Sequence, residues 1–348
     1  MDIAFVALLP FVPLAIGLHY AGVSPVAVFF VSALAIVPLA KYLGEATEEL
    51  ATRTNPVVGG LLSASFGNAP ELIIGGFALN AGLIDVVKAS ITGSIISNLL
   101  LVLGLAMLAG GWPRDKQTFN RTGVLAQCST LLLATLALVV PAVFFRTANE
   151  TGASAANGFS IVVSLMLICM YGAGLLFSLH THKHLYLQDT GTLEPRWSIT
   201  RALATLAAAT AAVAWLSEIL VNSIEPLVER LGWSQLFIGV IFVAVVGNAA
   251  EHVSAVFAAR KDKMDLALQI SVGSATQVVL AVAPILVFVG ASLGQPMNLI
   301  FNTFELVATV AAVLIVNVIV QDGESNWLEG LQLLAAYVIM AIAFFLHP

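Results

Sequence analysis

Charge is scarce in this chain: Asp, Glu, Lys and Arg make up 10% of its 348 residues, against roughly a quarter in soluble domains. Cysteine is scarcer still. Cys128 and Cys169 are the only two, both inside apolar runs, so no disulfide framework stabilises the fold and packing is their expected role. A glycine-rich phosphate loop, zinc-ligand spacing and an HExxH pair are missing, and the basic residues fall in loops rather than on an aromatic-bearing face. Nucleotide and nucleic-acid partners therefore have no support, and no resident cofactor is expected. Met1 is followed by Asp2 with no basic stretch and no small-residue cleavage site, so the first apolar run reads as a retained membrane anchor.

Hydrophobic residues make up 59% of the chain. Apolar runs near or above the roughly 18 to 20 residues that span a bilayer cover 3–20, 25–50, 56–79, 84–109, 119–145, 158–179, 199–228, 234–259, 264–290, 296–320 and 327–346. Continuous apolar character over such lengths predicts helices, since a membrane barrel alternates in segments of about ten residues. The expected fold is an all-α polytopic membrane protein with eleven transmembrane helices in contact with lipid. Arg53, Arg114, Lys116, Arg121, Lys183, Arg196, Arg201, Arg260, Lys261 and Lys263 fall in loops on the N-terminal side, against Lys88, Arg146 and Arg230 opposite. The excess of positive charge places the N-terminus in the cytoplasm. An odd helix count then puts His347-Pro348 outside, and the short tails point to a prokaryotic inner membrane.

Gly67-Asn68-Ala69-Pro70-Glu71 returns as Gly247-Asn248-Ala249-Ala250-Glu251, an offset of 180 residues (251 − 71). The same offset carries Gly93-Ser94 onto Gly273-Ser274, Asp85 onto Asp265, Glu45 onto Glu225 and Glu49 onto Glu229. Matches in register at this many places mean duplication. The chain then divides into an N-terminal helix at 1–22, a first five-helix repeat at 23–180, a polar cytoplasmic linker at 181–198 and a second repeat at 199–348. Five crossings reverse direction, so the repeats are expected to be inverted about an axis in the membrane plane, with a transport site where they meet. The joint carries His180, His182, His184, Asp189, Gly191, Glu194 and Pro195. Alternate histidines can chelate a metal or sense pH, but a solvated linker accounts for them, and they stay outside the site.

A carboxylate at bilayer depth costs at least about 2.5 kcal/mol on insertion scales, so Glu71 and Glu251 are read as functional. Pro70 lacks an N–H and, with Gly67, permits a helix interruption that frees backbone carbonyls. In the second copy Ala250 replaces Pro70, and the break must come from Gly247 or from packing. Asn68 and Asn248 add side-chain carbonyls, while the carboxylates supply the negative charge that a hard divalent metal ion prefers. The next helix of each repeat brings a polar patch, Ser94, Ser97 and Asn98 at i, i+3 and i+4, and Ser274 with Gln277 at i and i+3. Interhelical hydrogen bonding explains such patches in any membrane bundle. Beside matched glutamates they read as supporting ligands.

These segments, GNAPELI with SITGSIISNLLLVLG and GNAAEHV with QISVGSATQVVL, resemble the paired signature repeats of the calcium/proton antiporters, the CAX branch of the calcium/cation antiporter superfamily. The resemblance covers most of the chain and extends to the length, helix count and extra first helix of microbial members. It implies that Glu71 and Glu251 bind Ca2+ and H+ in turn, with Asn68 and Asn248 beside them and Ser94, Ser274 and Gln277 in support. Many relatives join the halves through an acidic segment, whereas this joint is rich in histidine, which puts in doubt only regulation through such a segment. Two carboxylates balance one Ca2+ or two protons. Related sodium/calcium exchangers usually show a further acid on the second helix of the repeat, where this chain has Asn98 and Val278, and fewer fixed charges favour a proton-driven cycle. The expected function is secondary transport of cytosolic Ca2+ against H+, with no enzymatic chemistry. The rival readings are a Na+/Ca2+ or other divalent cation exchanger, a cation channel, and an intramembrane hydrolase, which lacks a visible nucleophile or metal-binding histidine motif.

Glu45, Glu48 and Glu49 share a helical face near the cytoplasmic end of the second helix, and Glu225 with Glu229 repeats two of them on the opposite side. They either gather cations at two mouths or solvate helix ends. Glu218 and Glu305 sit deeper, in the seventh and tenth helices, where they either relay protons or line an access route, or else pair with Asn or Ser. Asp85 and Asp265 read as caps ahead of helix starts.

Overall fold

The structure, a computed structural model, describes residues 5–54, 56–147, 152–182 and 196–347. Most of the linker, including His184, Asp189, Gly191, Glu194 and Pro195, lies outside the described residues. The apolar runs become helices: α1 (Phe11–Tyr20), α2 (Pro25–Ala51), α3 (Pro56–Gly67), α4 (Ala69–Asn80), α5 (Ile84–Gly111), α6 (Arg121–Thr147), α7 (Ser154–Thr181), α8 (Ile199–Leu231), α9 (Gln235–Gly247), α10 (Ala249–Arg260), α11 (Met264–Ser292), α12 (Thr303–Ile319) and α13 (Trp327–Leu346). Among the described residues seven of these are long and apolar enough to cross a membrane, or eight if the bent pair α9 and α10 forms one span. The chain is a nearly all-helical, multi-pass membrane protein.

Local chemistry explains where helices start and break. Pro25 opens α2, where its missing N–H costs nothing. Between α3 and α4 the chain leaves helical geometry at Asn68, with φ −96° and ψ 18°. Between α9 and α10 it does so at Asn248, with φ −94° and ψ 12°, and these two helices meet at 62°. Pro70 accounts for the first break, having no N–H to continue the ladder. The second needs no proline, because the Asn248 side chain competes with the helix: its Nδ2 donates to the Ala244 carbonyl at 2.8 Å. Both α5 and α11 widen into a π-helical segment, Ser97–Val102 in one and Val278–Val282 in the other, and the 180-residue offset nearly superposes the two. Such bulges tend to occur at functional positions.

The start of α12 and the placement of three charged residues differ from the sequence reading. α12 begins at Thr303 rather than near 296, because Asn302 caps it in a capping box with Glu305. Glu305 therefore sits in a first turn instead of deep within the helix. Asp85 and Asp265 likewise fall inside first turns, not ahead of them. Lys88, counted as a loop charge, lies within α5.

Burial separates core from periphery. In the most apolar windows of α5 and α11, 83% and 67% of residues are buried, against 17% in α7 and 22% in α13, so α5 and α11 are the central pair. The outward faces carry Leu133, Met166, Ile339 and Leu346, all largely exposed, an apolar surface that suits hydrocarbon rather than water. α8 packs along α2, α4 packs on the second half of α11, and α10 packs on the second half of α5. Applied to this packing, the offset exchanges the last two contacts with one another. α5 meets α9 at Gly93 and Gly239, where a Cβ added to Gly239 would stand 2.5 Å from the Ala89 Cβ and 2.8 Å from the Val86 carbonyl oxygen. The backbones are in direct contact there, as small residues permit. Two short strands, β1 (Gln117–Thr118) and β2 (Glu324–Ser325), pair antiparallel. Beside them Lys116 Nζ lies 2.6 Å from Glu324 Oε1, and that hydrogen bond and charge hold the lysine pKa above its ordinary value.

Candidate cation site

Glu71 lies in the first turn of α4 and Glu251 in the first turn of α10. Each carboxylate thus sits at a helix N-terminus, where the free N–H groups of the first turn favour negative charge. Glu71 packs against Gly247, four residues before Glu251. Both oxygens of Glu71, Oε2 of Glu251, Oδ1 of Asn68 and Oδ1 of Asn98 are buried with no hydrogen-bond partner. The amide donors of Asn68, Asn98 and Asn248 are already used. Asn98 Nδ2 donates to Asn248 Oδ1 at 2.8 Å and to Ser274 Oγ at 3.0 Å, Asn248 Nδ2 donates to Ser94 Oγ at 2.8 Å, and Asn68 Nδ2 donates to Gln277 Oε1 at 2.6 Å. Ser97 turns aside, its Oγ donating to the Ser94 carbonyl of its own helix at 3.3 Å. Amide and hydroxyl donors satisfy one another, and oxygen acceptors are left over. A buried polar atom without a partner costs about 1–3 kcal/mol, so a cluster of them is ill suited to a packing role and well suited to a positive occupant.

The two glutamates do not occupy equivalent surroundings. A Cβ on Gly247 would stand 2.9 Å from Glu71 Cγ and 3.3 Å from its Cδ, whereas one on Gly67 would meet nothing within 4 Å. Glu71 is folded down onto Gly247, so this glycine serves close approach rather than the bend. Glu251 instead lines a cavity of about 250 Å³ together with Gly67, Lys41, Glu45, Glu48 and Ser254. Symmetry in the motif is broken in the site, with one carboxylate packed and the other facing space.

The weaker acids divide in the same way. Glu45 lines that cavity and pairs with Lys41 at 2.7 Å. Glu49 turns to the backbone at the end of the linker, its Oε2 accepting from the N–H of Arg196 at 2.9 Å and of Trp197 at 3.1 Å. Glu218, Glu225 and Glu229 are exposed on α8. Glu305 is buried and satisfied, with Oε1 accepting from Thr92 Oγ1 at 2.9 Å and Oε2 from the Asn302 N–H at 3.0 Å. It borders a second cavity of about 470 Å³ with Asp85, Lys88 and Arg146. Lys88 Nζ bonds Asn298 Oδ1 at 2.7 Å and the Ile300 carbonyl at 3.0 Å. Of the alternate histidines, His182 stacks on Phe177 with ring centroids 4.0 Å apart. Among the described residues no group of three or more His, Cys, Asp and Glu side chains converges as a metal site. Sequence reasoning gave Lys41 no weight. A lysine inside an apolar span, four residues before an acid, was the available signal.

Known proteins resemble this chain over nearly its whole length. A family model described as sodium/calcium exchanger protein matches residues 24–180 and 201–346. The chain is 46% identical over 362 residues to the Ca2+/H+ antiporter of Aphanothece halophytica, covering 99% of this chain and 96% of that protein. It is 48% identical over 329 residues to the Ca2+/H+ antiporter ChaA of Bacillus subtilis, covering 92% and 93%. Among solved structures, that of native YfkE superposes with a TM-score of 0.87 at 43% identity, covering 99% of this chain and all of that one.

Proposed function

The chain belongs to the sodium/calcium exchanger protein family, and from that premise we infer that it exchanges Ca2+ for H+ across a membrane, both ions being transported substrates. Full-length identity to Ca2+/H+ antiporters supports the exchange. The observation that carries the site is the surplus of buried oxygens on Glu71, Glu251, Asn68 and Asn98. Glu71 and Glu251 take one Ca2+ or two protons, and either load neutralises the pair. Unloaded, the two charges face the penalty of at least about 2.5 kcal/mol each that hydrocarbon imposes on a carboxylate. Changing sides is therefore cheap only when loaded, and this couples the two fluxes. Asn248, Ser94, Ser274 and Gln277 orient the oxygens through their hydrogen bonds, with Ser97 a more distant member.

We read the architecture as eleven spans, taking α3 with α4 and α9 with α10 as broken single spans, in which repeats at 23–180 and 199–348 are inverted about an in-plane axis. Support comes from the two matched segments, the near-identical dihedrals at Asn68 and Asn248, the paired π segments and the exchange of packing partners. The loop charges favour a cytoplasmic N-terminus and an outer C-terminus, in a prokaryotic inner membrane. The cavity at Glu251 is then the cytosolic approach to the site.

Calcium-dependent proton release from proteoliposomes tests this reading in the parent, Glu71→Gln and Glu251→Gln. Each substitution keeps the side-chain volume and removes one charge, and each is expected to abolish exchange in folded protein. Exchange surviving in either variant overturns the assignment of that residue. Uptake that follows a sodium gradient and ignores pH moves the protein to Na+/Ca2+ exchange.

A further inference from the structure

We propose that Lys41 sets the affinity for Ca2+ on the face where the Glu251 cavity opens, acting as a tethered counter-ion to Glu45. The proposal rests on the exchange reading above and adds a determinant that the reading does not contain. The Lys41 side chain is 9% exposed, and its Nζ lies 2.7 Å from Glu45 Oε1. Phe5, itself buried, covers the ammonium with its ring centroid 4.9 Å away, and Tyr42 flanks it at 5.8 Å. Held between rings and a carboxylate, this ammonium borders the same cavity as Glu48 and Glu251. Packing alone does not require a charge, since an uncharged stem of equal length fills the same volume.

The internal repeat supplies an independent argument. The 180-residue offset carries Glu45 onto Glu225 but Lys41 onto Val221, a buried apolar residue. The acid is duplicated and the cation is not, so Lys41 belongs to one face of the transporter rather than to the symmetric ion-carrying machinery. A divalent ion moving up this cavity meets three carboxylates, Glu45, Glu48 and Glu251, and one ammonium. The ammonium occupies Glu45 and offsets part of the negative potential that would otherwise concentrate cations at the site. Transport from this face consequently begins at a higher Ca2+ concentration than the carboxylates alone would set.

The test is KM and kcat for Ca2+ measured separately at each face, in proteoliposomes of defined orientation. Lys41→Met is expected to lower KM at the cavity face by about tenfold, the low end of what focused charge achieves, with kcat and the opposite-face KM little changed. Lys41→Arg keeps the parental KM. Glu45→Gln removes one of the carboxylates facing the cavity and raises KM, and the double variant Lys41→Met with Glu45→Gln returns towards the parent. A fall in kcat or yield without a change in KM, or the same KM shift in Phe5→Leu, overturns the proposal in favour of packing. A KM shift confined to the non-cytosolic face upholds Lys41 and overturns the assigned sidedness. Proton-driven uptake by the parent in the same vesicles tests the exchange reading separately.

Discussion

Substituting alanine for glycine at the two equivalent positions, Gly67 and Gly247, discriminates between the two halves of the site. In Gly247→Ala the new Cβ would fall 2.9 Å from Glu71 Cγ, closer than carbon atoms tolerate, while in Gly67→Ala nothing lies within 4 Å. Overpacking of this kind costs about 1–3 kcal/mol. Because Glu71 Cγ belongs to a side chain that can swing, the lower end applies, and about 1 kcal/mol is roughly a fivefold change in an equilibrium. Gly247→Ala should therefore depopulate the conformation with the Glu251 cavity open by about that factor. Ser254 lines the cavity, so a Ser254→Cys reporter, in a background where the exposed Cys169 is replaced by serine, reads the population through its labelling rate with a water-soluble thiol reagent. Labelling should slow severalfold in Gly247→Ala and stay at the parental rate in Gly67→Ala. Equal rates in the two variants would refute the claim that Glu71 and Glu251 have different surroundings.

Three further outcomes follow from the hydrogen-bond pattern. Asn98→Ala strips partners from Asn248 and Ser274 at about 1–3 kcal/mol and should raise the KM for Ca2+ uptake at least fivefold, whereas Ser97→Ala, bonded only to its own helix, should stay near the parent in the same isotope assay. Glu305→Gln weakens the capping box of α12 by about 1 kcal/mol, so thermal unfolding should come earlier while exchange persists, because both carboxylate oxygens already have partners. Lys116 gains Glu324 only on folding, and its pKa is raised above 10.5. Its contribution to stability is thus present below that pH and lost as pH rises through the folded value; unfolding curves of Lys116→Met should lack this alkaline loss.

The repeated acids were legible because a carboxylate in an apolar run stands out, and a shared register excludes coincidence. Asn68, Asn248 and the polar faces of α5 and α11 followed from the same register, and the structure brings Asn98, Asn248, Ser94 and Ser274 into one network. The difference between Glu71 and Glu251 could not be read, since the motifs are nearly identical and only packing sets which glycine is covered. The break at Asn248 was ambiguous because Ala250 carries no breaking signal; the decisive bond joins a side chain to a carbonyl one turn back. The start of α12 was misplaced because Ile300 and Phe301 continue an apolar run, while capping by Asn302 with Glu305 overrides hydropathy. Lys41 is hard to read from sequence because charge alone groups Glu45 with the neighbouring acids Glu48 and Glu49, while its ion pair is with the lysine one turn earlier.

At Gly93 the main chain of α5 lies against the main chain of Val240 in α9, and at Gly239 the main chain of α9 lies against Ala89 and Val86 of α5, so the two helices cross there at closest approach. With only the Ala89 methyl group between them to yield, α5 and α9 cannot draw closer at this crossing. A single methyl group at either glycine would act as a wedge at that crossing, forcing the two helices apart while leaving the side chains of Glu71 and Glu251 chemically unaltered.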